Sequence, residues 1–239
     1  MIYASLSDKG KVRLTNQDNY ANLKTEDFSL FIVADGMGGH NAGEIASKIA
    51  VESIRNYIHE KGARKDYSEL LENSIIYANN KILEKSKLNP ECYQMGTTVI
   101  CALIDNNNKA YIANLGDSRI YHHQNGKLRQ VTKDDSYIQS LIDTGAEGLD
   151  KDFLDHYKNI VTKALGIDSK VEIEVSTMIL EKNDYLMLVT DGLTNMVEDS
   201  EIEEVLNLEI GIQESCEILV YMANSSGGFD NITVTLVRI

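Results

Sequence analysis

The sequence predicts an α+β layered fold in which antiparallel strands are flanked by helices. Two long segments, 42–60 and 66–87, carry apolar residues at helical spacing. Over 96–132 the chain changes to short, strand-like segments separated by turn signals such as Asn125-Gly126, which tolerates the positive φ of a hairpin turn. Because strands and helices come in runs and do not alternate, we expect antiparallel sheets and not a parallel doubly wound sheet.

Each element follows from a local pattern. The first strands are expected at 2–7 and 28–34, and the second of these is apolar and β-branched. Two helices follow because apolar residues recur on one face of each; these are Ile45, Ile49, Ile54, Ile58, Leu70, Leu71, Ile75, Ala78 and Ile82. The remaining elements are expected to be strands at 96–104, 109–116, 118–124 and 127–132, a helix at 134–144, strands at 171–179 and 184–190, helices at 199–206 and 211–224, and a strand at 231–237.

The composition is that of an ordinary globular protein, with 239 residues of which 43% are hydrophobic and 25% charged. The chain has one proline and no linker or repeat, so we expect a single domain over 1–239. A net charge of −14 argues against nucleic-acid binding, which relies on basic surface.

We see no signal peptide, and no apolar run approaches the ~18 residues of a membrane span. The three cysteines lack CxxC spacing, and Cys101 lies in an apolar run, so we expect a core residue and a reducing, cytoplasmic location.

Four aspartates occupy one kind of place in the sequence, at an end of an apolar strand and within two residues of a glycine. They are Asp35, Asp117, Asp191 and Asp230. If these strand ends converge, the carboxylates repel one another unless cations neutralise them, and oxygen ligands favour Mg²⁺ or Mn²⁺. The alternative is that each aspartate occupies a turn or caps a helix, where this residue is common.

Asp35 begins a glycine-rich turn that allows three interpretations. A helix cap is disfavoured because the next helix starts too far along the chain, near Ala42. A nucleotide-binding loop would need a lysine and a hydroxyl residue after its glycines, and neither is present. A metal ligand remains. Near the N-terminus, Arg13 is a candidate phosphate-binding group, although a surface ion pair with Asp18 is an equal alternative.

Eight motifs together resemble the metal-dependent Ser/Thr protein phosphatases of type 2C, in their compact bacterial form. They occur in the family's order and span essentially the whole chain: "RLTNQD" at 13–18, "VADGMGGHNAGE" at 33–44, "MGTTV" at 95–99, "ANLGDSRIY" at 113–121, "TKDDS" at 132–136, "TKALG" at 162–166, "DYLMLVTDGL" at 184–193 and "GGFDNITV" at 227–234. The resemblance implies a four-layer α-β-β-α sandwich of two mainly antiparallel sheets flanked by helices, with the site at one end and a variable flap at about 135–165.

The resemblance also implies a centre of two Mn²⁺ or Mg²⁺ ions. Asp35 would bridge the two ions, and the carbonyl of Gly36 would bind one of them. Asp191 and Asp230 would bind the other. Bacterial members are similar in holding a third cation, for which Asp117 and again Asp191 are the matching positions.

Three further residues receive roles from the resemblance. Asp18 would hold metal-bound water, Arg13 would bind the substrate phosphate, and Asn231 would support Asp230. The implied reaction is hydrolysis of phosphoserine and phosphothreonine in proteins by a metal-activated water. The implied partners are a bacterial Ser/Thr kinase and its substrates, with no nucleic acid and no membrane, and we expect a monomer.

The sequence departs from the family at three places. Gln17 stands where many members carry glutamate, and Met37 replaces a histidine proposed as general acid in eukaryotic members, so we expect the leaving oxygen to be protonated by metal-bound water. Whether His40 is catalytic or packs the loop stays open. In the flap, 155–159 lacks the His-Pro-x-Arg-Asn run of many bacterial members. A phosphoprotein-binding pseudophosphatase and a narrow regulatory phosphatase are the competing functions.

Overall fold

The computed structural model describes residues 1–38, 42–62, 66–146, 148 and 150–239. None of the helices in those ranges combines the length and the apolar character that a membrane span needs. The strands among these residues are β1 (Ile2–Asp8), β2 (Asp18–Lys24), β3 (Phe28–Met37), β4 (Gly96–Thr97), β5 (Val99–Asp105), β6 (Lys109–Leu115), β7 (Arg119–Gln124), β8 (Lys127–Gln130), β9 (Val175–Ile179), β10 (Tyr185–Val189) and β11 (Ile232–Arg238). The helices are α1 (Ala42–Lys61), α2 (Tyr67–Leu88), α3 (Tyr137–Asp143), α4 (Lys151–Tyr157), α5 (Asp191–Thr194), α6 (Asp199–Leu206) and α7 (Ile212–Ser225).

Two antiparallel sheets form the centre of the fold. Sheet I has the strand order β1-β11-β10-β7-β8, and sheet II has the order β2-β3-β5-β6-β9, with β4 paired to β3. Every strand pair recorded in the described residues is antiparallel. The predicted four-layer α+β sandwich is therefore confirmed, because α1 and α2 pack on sheet II, while α6 and α7 pack on sheet I.

Three hydrophobic layers hold the four structural layers together. In β3, Leu30 and Ile32 face α1 and α2, while the intervening Phe31 and Val33 face the other sheet. This division follows from the alternation of side chains along a strand. Residues from sheet I that meet Phe31 and Val33 between the sheets are Ile120, Leu186, Leu188 and Val237. Because the middle of β3 is buried on both faces, Leu30–Ala34 is a continuous apolar run without polar alternation.

Most predicted elements lie where the patterns place them, and the differences have physical causes. β2 was not predicted because it is an edge strand of sheet II with partly exposed faces and the polar sequence Asp18–Lys24. The predicted strand at 171–179 begins only at Val175. The predicted helix at 134–144 begins at Tyr137, since the Ser136 side chain accepts a hydrogen bond from the Gln139 amide and caps it.

The direction of the strands brings the aspartates to one end of the sandwich. β3 and β10 run towards that end, β2 and β11 start from it, and the register sets Asp18 opposite Asp35 and Val189 opposite Val234. The opposite end is closed by tight turns. Three of them contain an asparagine with positive φ: Asn108 at 58°, Asn125 at 52° and Asn183 at 72°.

Candidate metal centre

A cleft of about 470 Å³ opens at the end of the sandwich where these strands start and finish. Its lining contains the predicted residues Arg13, Asp35, Gly36, Asp117, Asp191 and Asp230, together with Gln17, Met37, Gly38, Thr98, Asn159, Ile160 and Val161. Segments from both sheets and from the flap therefore meet at one cavity. The four aspartates that share the strand-end pattern, Asp35, Asp117, Asp191 and Asp230, therefore lie in one cleft, as the pattern predicts.

Asp35 is placed in the cleft by the alternation of β3. It lies two residues beyond Val33 and four beyond Phe31, on the same face of the strand, so its side chain points between the sheets. The end of the strand is fixed by two threonines of the "MGTTV" motif: the Asp35 amide donates to Oγ1 of Thr98 (3.0 Å), and Oγ1 of Thr97 donates to the Asp35 carbonyl (2.8 Å). These contacts fix the backbone of Asp35 and hence the point from which its side chain enters the cleft.

Gly36 follows Asp35 in a position that a larger residue could not occupy. A Cβ at Gly36 would lie 2.1 Å from the carbonyl oxygen of Gly43 in α1, and a Cβ at Gly43 would lie 2.6 Å from the carbonyl oxygen of Gly36. The Gly36 amide also donates to the carbonyl of Gln17 (3.1 Å). The two glycines thus let α1 approach the end of β3 closely. His40 lies between them in the chain, outside the described residues, so its role is not addressed by the structure.

Asp18 lies directly opposite Asp35 and is buried. Its Oδ2 accepts hydrogen bonds from Oγ1 of Thr190 (2.9 Å), which directly follows β10, and from Oγ1 of Thr233 (2.7 Å) in β11. Its Oδ1 is buried and has no hydrogen-bond partner among the described residues. Since an unpartnered buried carboxylate oxygen is costly, this atom is a natural site for a cation or a cation's water.

Asp191 and Asp230 enter from sheet I. Asp191 starts α5, where Nδ2 of Asn195 donates to its Oδ2 (3.0 Å), and its Oδ1 is buried without a described partner. Oδ2 of Asp230 accepts from Nη2 of Arg13 (2.6 Å). A Cβ at Gly192 would lie 1.9 Å from the Asn231 carbonyl oxygen, so only glycine lets these two aspartate-bearing turns pack together.

Asn231 connects this turn to the N-terminal segment. Its backbone amide donates to Oδ1 of Asp230 (2.8 Å), and its Oδ1 accepts from the Gln17 amide (2.8 Å). Its Nδ2 donates to the carbonyls of Lys9 and Thr15 (both 2.9 Å). The side chain therefore holds the segment that carries Arg13, while the main chain contacts Asp230.

Asp117 and Asp191 also line a second, smaller cavity of about 180 Å³ beside the main cleft. The wall of this cavity is held by Arg119, whose Nε donates to Oδ1 of Asp134 (3.1 Å) and whose Nη2 donates to Oδ2 of Asp134 (2.8 Å) in a two-pronged ion pair. Asp134 precedes the flap, so the ion pair ties the flap's first residues to β7. This network was not predicted. Its signal in the sequence is the Arg119 of "GDSR" and the Asp134 of "TKDDS", whose pairing only the fold reveals.

Burial and mutual repulsion shift the carboxyl groups of the cleft in one direction. Burial raises the pKa of Asp18 to about 7 and that of Asp191 to about 6. Burial, with the nearby charge of Asp191, raises the pKa of Asp117 to about 7. Burial and the charges of Asp18, Asp191 and Asp230 raise the pKa of Asp35 well above its usual range. Several ionised carboxylates repel one another in this cleft, and a bound cation would reduce that repulsion.

The donor set fits hard cations that keep part of their water shell. Within the described residues, no three His, Cys, Asp or Glu side chains lie close enough together to enclose a metal ion by themselves. The carboxylates nonetheless share one cleft, and two buried oxygens, Asp18 Oδ1 and Asp191 Oδ1, have no described partner. Mg²⁺ typically binds through one or two carboxylates and several waters, so an open arrangement of this kind suits it.

We expect the metal-free protein to become less stable as the pH rises from about 5.5 to 7.5. The pKa values of Asp18, Asp117 and Asp191 are raised to between about 6 and 7 in the folded state, against about 3.9 in the unfolded chain. The folded state therefore binds more protons than the unfolded state in this window, and the free energy of unfolding falls as the pH increases.

The measurement is the melting temperature in EDTA across that pH range, repeated with saturating Mn²⁺. We expect Mn²⁺ to raise the melting temperature most at the upper end of the range, where the carboxylates are ionised, by about 5 °C or more. A metal-free melting temperature that increases with pH would contradict the assignment.

Comparison with known proteins agrees with this geometry. A family model described as Protein phosphatase 2C matches residues 9–234. The serine/threonine phosphatase stp of Listeria monocytogenes serotype 4b (strain F2365) is 39% identical over 237 residues, covering 97% of this chain and 93% of its own. The crystal structure of serine/threonine phosphatase Stp1 from Staphylococcus aureus superposes with a TM-score of 0.92 at 32% identity, over 99% of this chain and 94% of that one. The catalytic domain of the phosphatase PstP in complex with 2 manganese ions gives a TM-score of 0.86 at 31% identity, over 99% and 97%.

The chain belongs to the protein phosphatase 2C family, since the family model and these relatives span nearly all of it. The two-sheet sandwich with flanking helices is the fold that its solved relatives share. Within the family the chain is a serine/threonine protein phosphatase of the bacterial type, and hence an enzyme. The resemblance inferred from the eight sequence motifs is confirmed.

Proposed function

We propose that the chain hydrolyses phosphoserine and phosphothreonine in proteins with two divalent cations, Mn²⁺ or Mg²⁺, held in the cleft, and that it opposes a bacterial Ser/Thr kinase. The observation that carries this proposal is the convergence of aspartates from both sheets on one cleft that also contains Arg13. When bound, the cations would polarise the phosphoryl oxygens and supply hydroxide at neutral pH. The two manganese ions of the PstP structure support the choice of metal.

The residues proposed to hold the cations are those of the cleft floor. Asp35 would contact both ions and the Gly36 carbonyl one of them, while Asp191 and Asp230 would hold the other. Asp117, with Asp191, is proposed to hold a third cation, and the support is that both residues line the smaller cavity beside the main cleft.

The remaining residues would position water and substrate. Asp18 has one oxygen fixed by two threonine hydroxyls and the other without a described partner, so it can orient a water molecule towards phosphorus. Arg13, half-exposed at the cleft, would turn from Asp230 to donate two hydrogen bonds to the substrate phosphate. Asn231 would keep the Arg13 segment in place through its contacts with Lys9 and Thr15.

The proton for the leaving serine or threonine oxygen is proposed to come from solvent in the cleft. Met37 lines the cleft at the position where a histidine would stand in eukaryotic members, and the described lining contains no histidine. A thioether cannot donate a proton, so Met37 contributes only shape and an apolar wall.

The proposed setting is the cytoplasm, with the chain acting as a monomer on a kinase and the kinase's substrates. The Listeria relative named as a serine/threonine phosphatase supports the reaction class. The three cysteines, Cys92, Cys101 and Cys216, are free and buried, which suits a reducing compartment.

The deciding experiment is hydrolysis of a phosphothreonine peptide and of p-nitrophenyl phosphate by the purified chain, with Mn²⁺, with Mg²⁺ and with EDTA. We expect turnover with the cations and none with EDTA. Activity that is unaffected by EDTA would contradict the proposal. Binding of the peptide without turnover under any metal condition would instead indicate a pseudophosphatase.

Arg13→Lys is expected to lower kcat/KM for the peptide by about 10- to 100-fold. Lysine keeps the positive charge but loses the planar pair of donors that binds a phosphate bidentately. Because Arg13 is half-exposed, the melting temperature of the variant should match that of the wild type. Steady-state kinetics and thermal unfolding test both statements. A variant with wild-type kcat/KM would leave Arg13 with no role beyond its ion pair with Asp230, which the structure has in place of the Asp18 pair considered from the sequence.

A further inference from the structure

We propose that three exposed apolar residues, Val12, Leu14 and Phe229, bind the apolar side chains that flank the phosphorylated residue of a protein substrate. We call these three residues the apolar rim. The inference rests on the proposed phosphatase function and adds a substrate class to it, namely phosphorylated segments with apolar neighbours. It also identifies residues that determine specificity outside the metal centre.

The apolar rim exposes side chains that have little reason to face solvent in the isolated chain. Val12 is 58% exposed, Leu14 92% and Phe229 60%. Single exposed apolar residues are common on protein surfaces. Three exposed apolar residues on two adjoining segments indicate more, because clustered apolar surface marks an interaction site.

The sequence and the hydrogen bonds place the rim around the phosphate-binding position. Val12 and Leu14 are the two neighbours of Arg13, and Phe229 precedes Asp230, which Arg13 contacts at 2.6 Å. The two segments that carry the rim are joined directly, since the amides of Lys11 (2.8 Å) and Val12 (3.3 Å) donate to the carbonyl of Gly228. The rim is therefore continuous with the proposed phosphate site.

The rim is also held in a defined position. Asn231 donates to the carbonyls of Lys9 and Thr15, which lie on either side of Val12 and Leu14 in the chain. The ring of Phe229 lies over Gly227, where a Cβ would be 2.5 Å from the ring edge. Because the backbone is fixed on both segments, a substrate would meet an ordered surface and lose less entropy on binding.

The flap contributes an apolar group to the same opening. Ile160 lines the cleft and is 45% exposed, and Met37 lines the cleft as well. A phosphorylated side chain inserted towards Arg13 would thus leave its flanking residues between the rim and the flap. Apolar flanking residues match these surfaces, because binding removes apolar area on both partners from water.

A substrate segment is a better occupant than a second copy of the chain. The rim residues are chain neighbours of Arg13 and Asp230, which line the cleft, so a stable dimer through the rim would cover the entrance that a substrate must use. Two copies docked through the rim would also bring the exposed cationic side chains of Lys9 and Lys11 of each copy close together. Self-association is therefore a competing outcome for the experiment to detect.

The test compares two phosphothreonine peptides that differ only in the residues next to the phosphothreonine, leucine in one and serine in the other. The readout is the ratio of their kcat/KM values, measured for the wild type, for V12S/L14S/F229S and for Leu14→Ser alone. We expect the wild type to prefer the leucine peptide by about 10-fold or more, mainly through KM. The triple variant should reduce the ratio to about 1–2, with Leu14→Ser in between.

Ile179→Ser is the matched control, because Ile179 is 62% exposed but lies in β9 opposite Lys109, at the far end of sheet II. This variant should keep the wild-type ratio. Leu14→Ser keeps the test informative if the triple variant does not fold, since so exposed a side chain contributes little to the folded state.

The outcomes separate the two proposals. If the wild type does not hydrolyse p-nitrophenyl phosphate, which has no flanking residues, the proposed function itself fails. If it does, a wild-type ratio near 1, or a ratio that the triple variant leaves unchanged, overturns the role of the rim. Light scattering at the assay concentration completes the test. A wild-type dimer that the triple variant dissociates without changing the ratio would assign the rim to self-association and also overturn the proposal.

Discussion

Asp35→Asn is expected to lower kcat/KM for a phosphothreonine peptide by more than about 100-fold while making the metal-free protein more stable at neutral pH. The loss of activity follows if Asp35 holds both cations, because the neutral amide of asparagine is a poor ligand for hard cations. The gain in stability follows from burial, which together with the charges of Asp18 and Asp191 raises the pKa of Asp35. Removing a buried, repelled charge relieves the folded state at a pH where it would otherwise ionise.

The two effects have opposite signs, and this makes the prediction specific. Thermal unfolding with EDTA and with Mn²⁺ measures the stability, and titration calorimetry measures Mn²⁺ binding. We expect the stabilisation by Mn²⁺ to be largely lost in the variant. Asp27→Asn, in the exposed turn before β3, is the matched control and should leave all three measurements unchanged. A variant that keeps wild-type Mn²⁺ stabilisation would show that Asp35 is not a ligand.

Gly192→Ala is expected to destabilise the protein by at least about 3 kcal/mol and to weaken Mn²⁺ binding. The added Cβ would lie 1.9 Å from the Asn231 carbonyl oxygen and 3.5 Å from the Asp230 Cβ. Because a backbone atom cannot be displaced by a rotamer change, the turn after β10 would have to move away from the turn before β11. Asp191 and Asp230 would then separate.

The control for this substitution is Gly211→Ala. No atom lies within 4 Å of a Cβ at Gly211, which has a negative φ at the start of α7, so we expect a change within about 1 kcal/mol. Urea denaturation gives the free energy of unfolding for both variants. Wild-type stability in Gly192→Ala would mean that the two turns do not pack as closely as the structure has them.

The strength of local patterns decides how much of the fold can be predicted from the sequence. α1 and α2 have sustained apolar periodicity, and their bounds are predicted to within a residue or so. β2 lies at a sheet edge and has partly exposed faces, so its residues Asp18–Lys24 lack the apolar signal of β3. α4 is a seven-residue helix in the polar flap, too short for periodicity to show.

Some residues of the candidate site can likewise be predicted from local sequence patterns, and others cannot. Asp35 and Asp191 share a strand-end pattern visible in the sequence. Arg13 is a candidate phosphate-binding group from its residue type, whereas Asp18 acquires its role only through the family motifs. The hydroxyls of Thr190 and Thr233 could not be predicted, because they are 172 and 215 residues from Asp18 and no local pattern connects them. Such contacts depend on how two sheets pack, which residue spacing does not encode.

The tight turns at the end opposite the cleft have a consequence for how such an enzyme can change. The turns with Asn108 and Asn125 in left-handed conformations connect paired strands and fix their register, and the turn with Asn183 leads from sheet II into sheet I. The longer connections, including 9–17 and the flap, all lie at the cleft end. Sequence variation in them can alter substrate choice without shifting any strand by a residue. The architecture thus separates the part that must stay constant for the chain to fold from the part free to diversify among relatives.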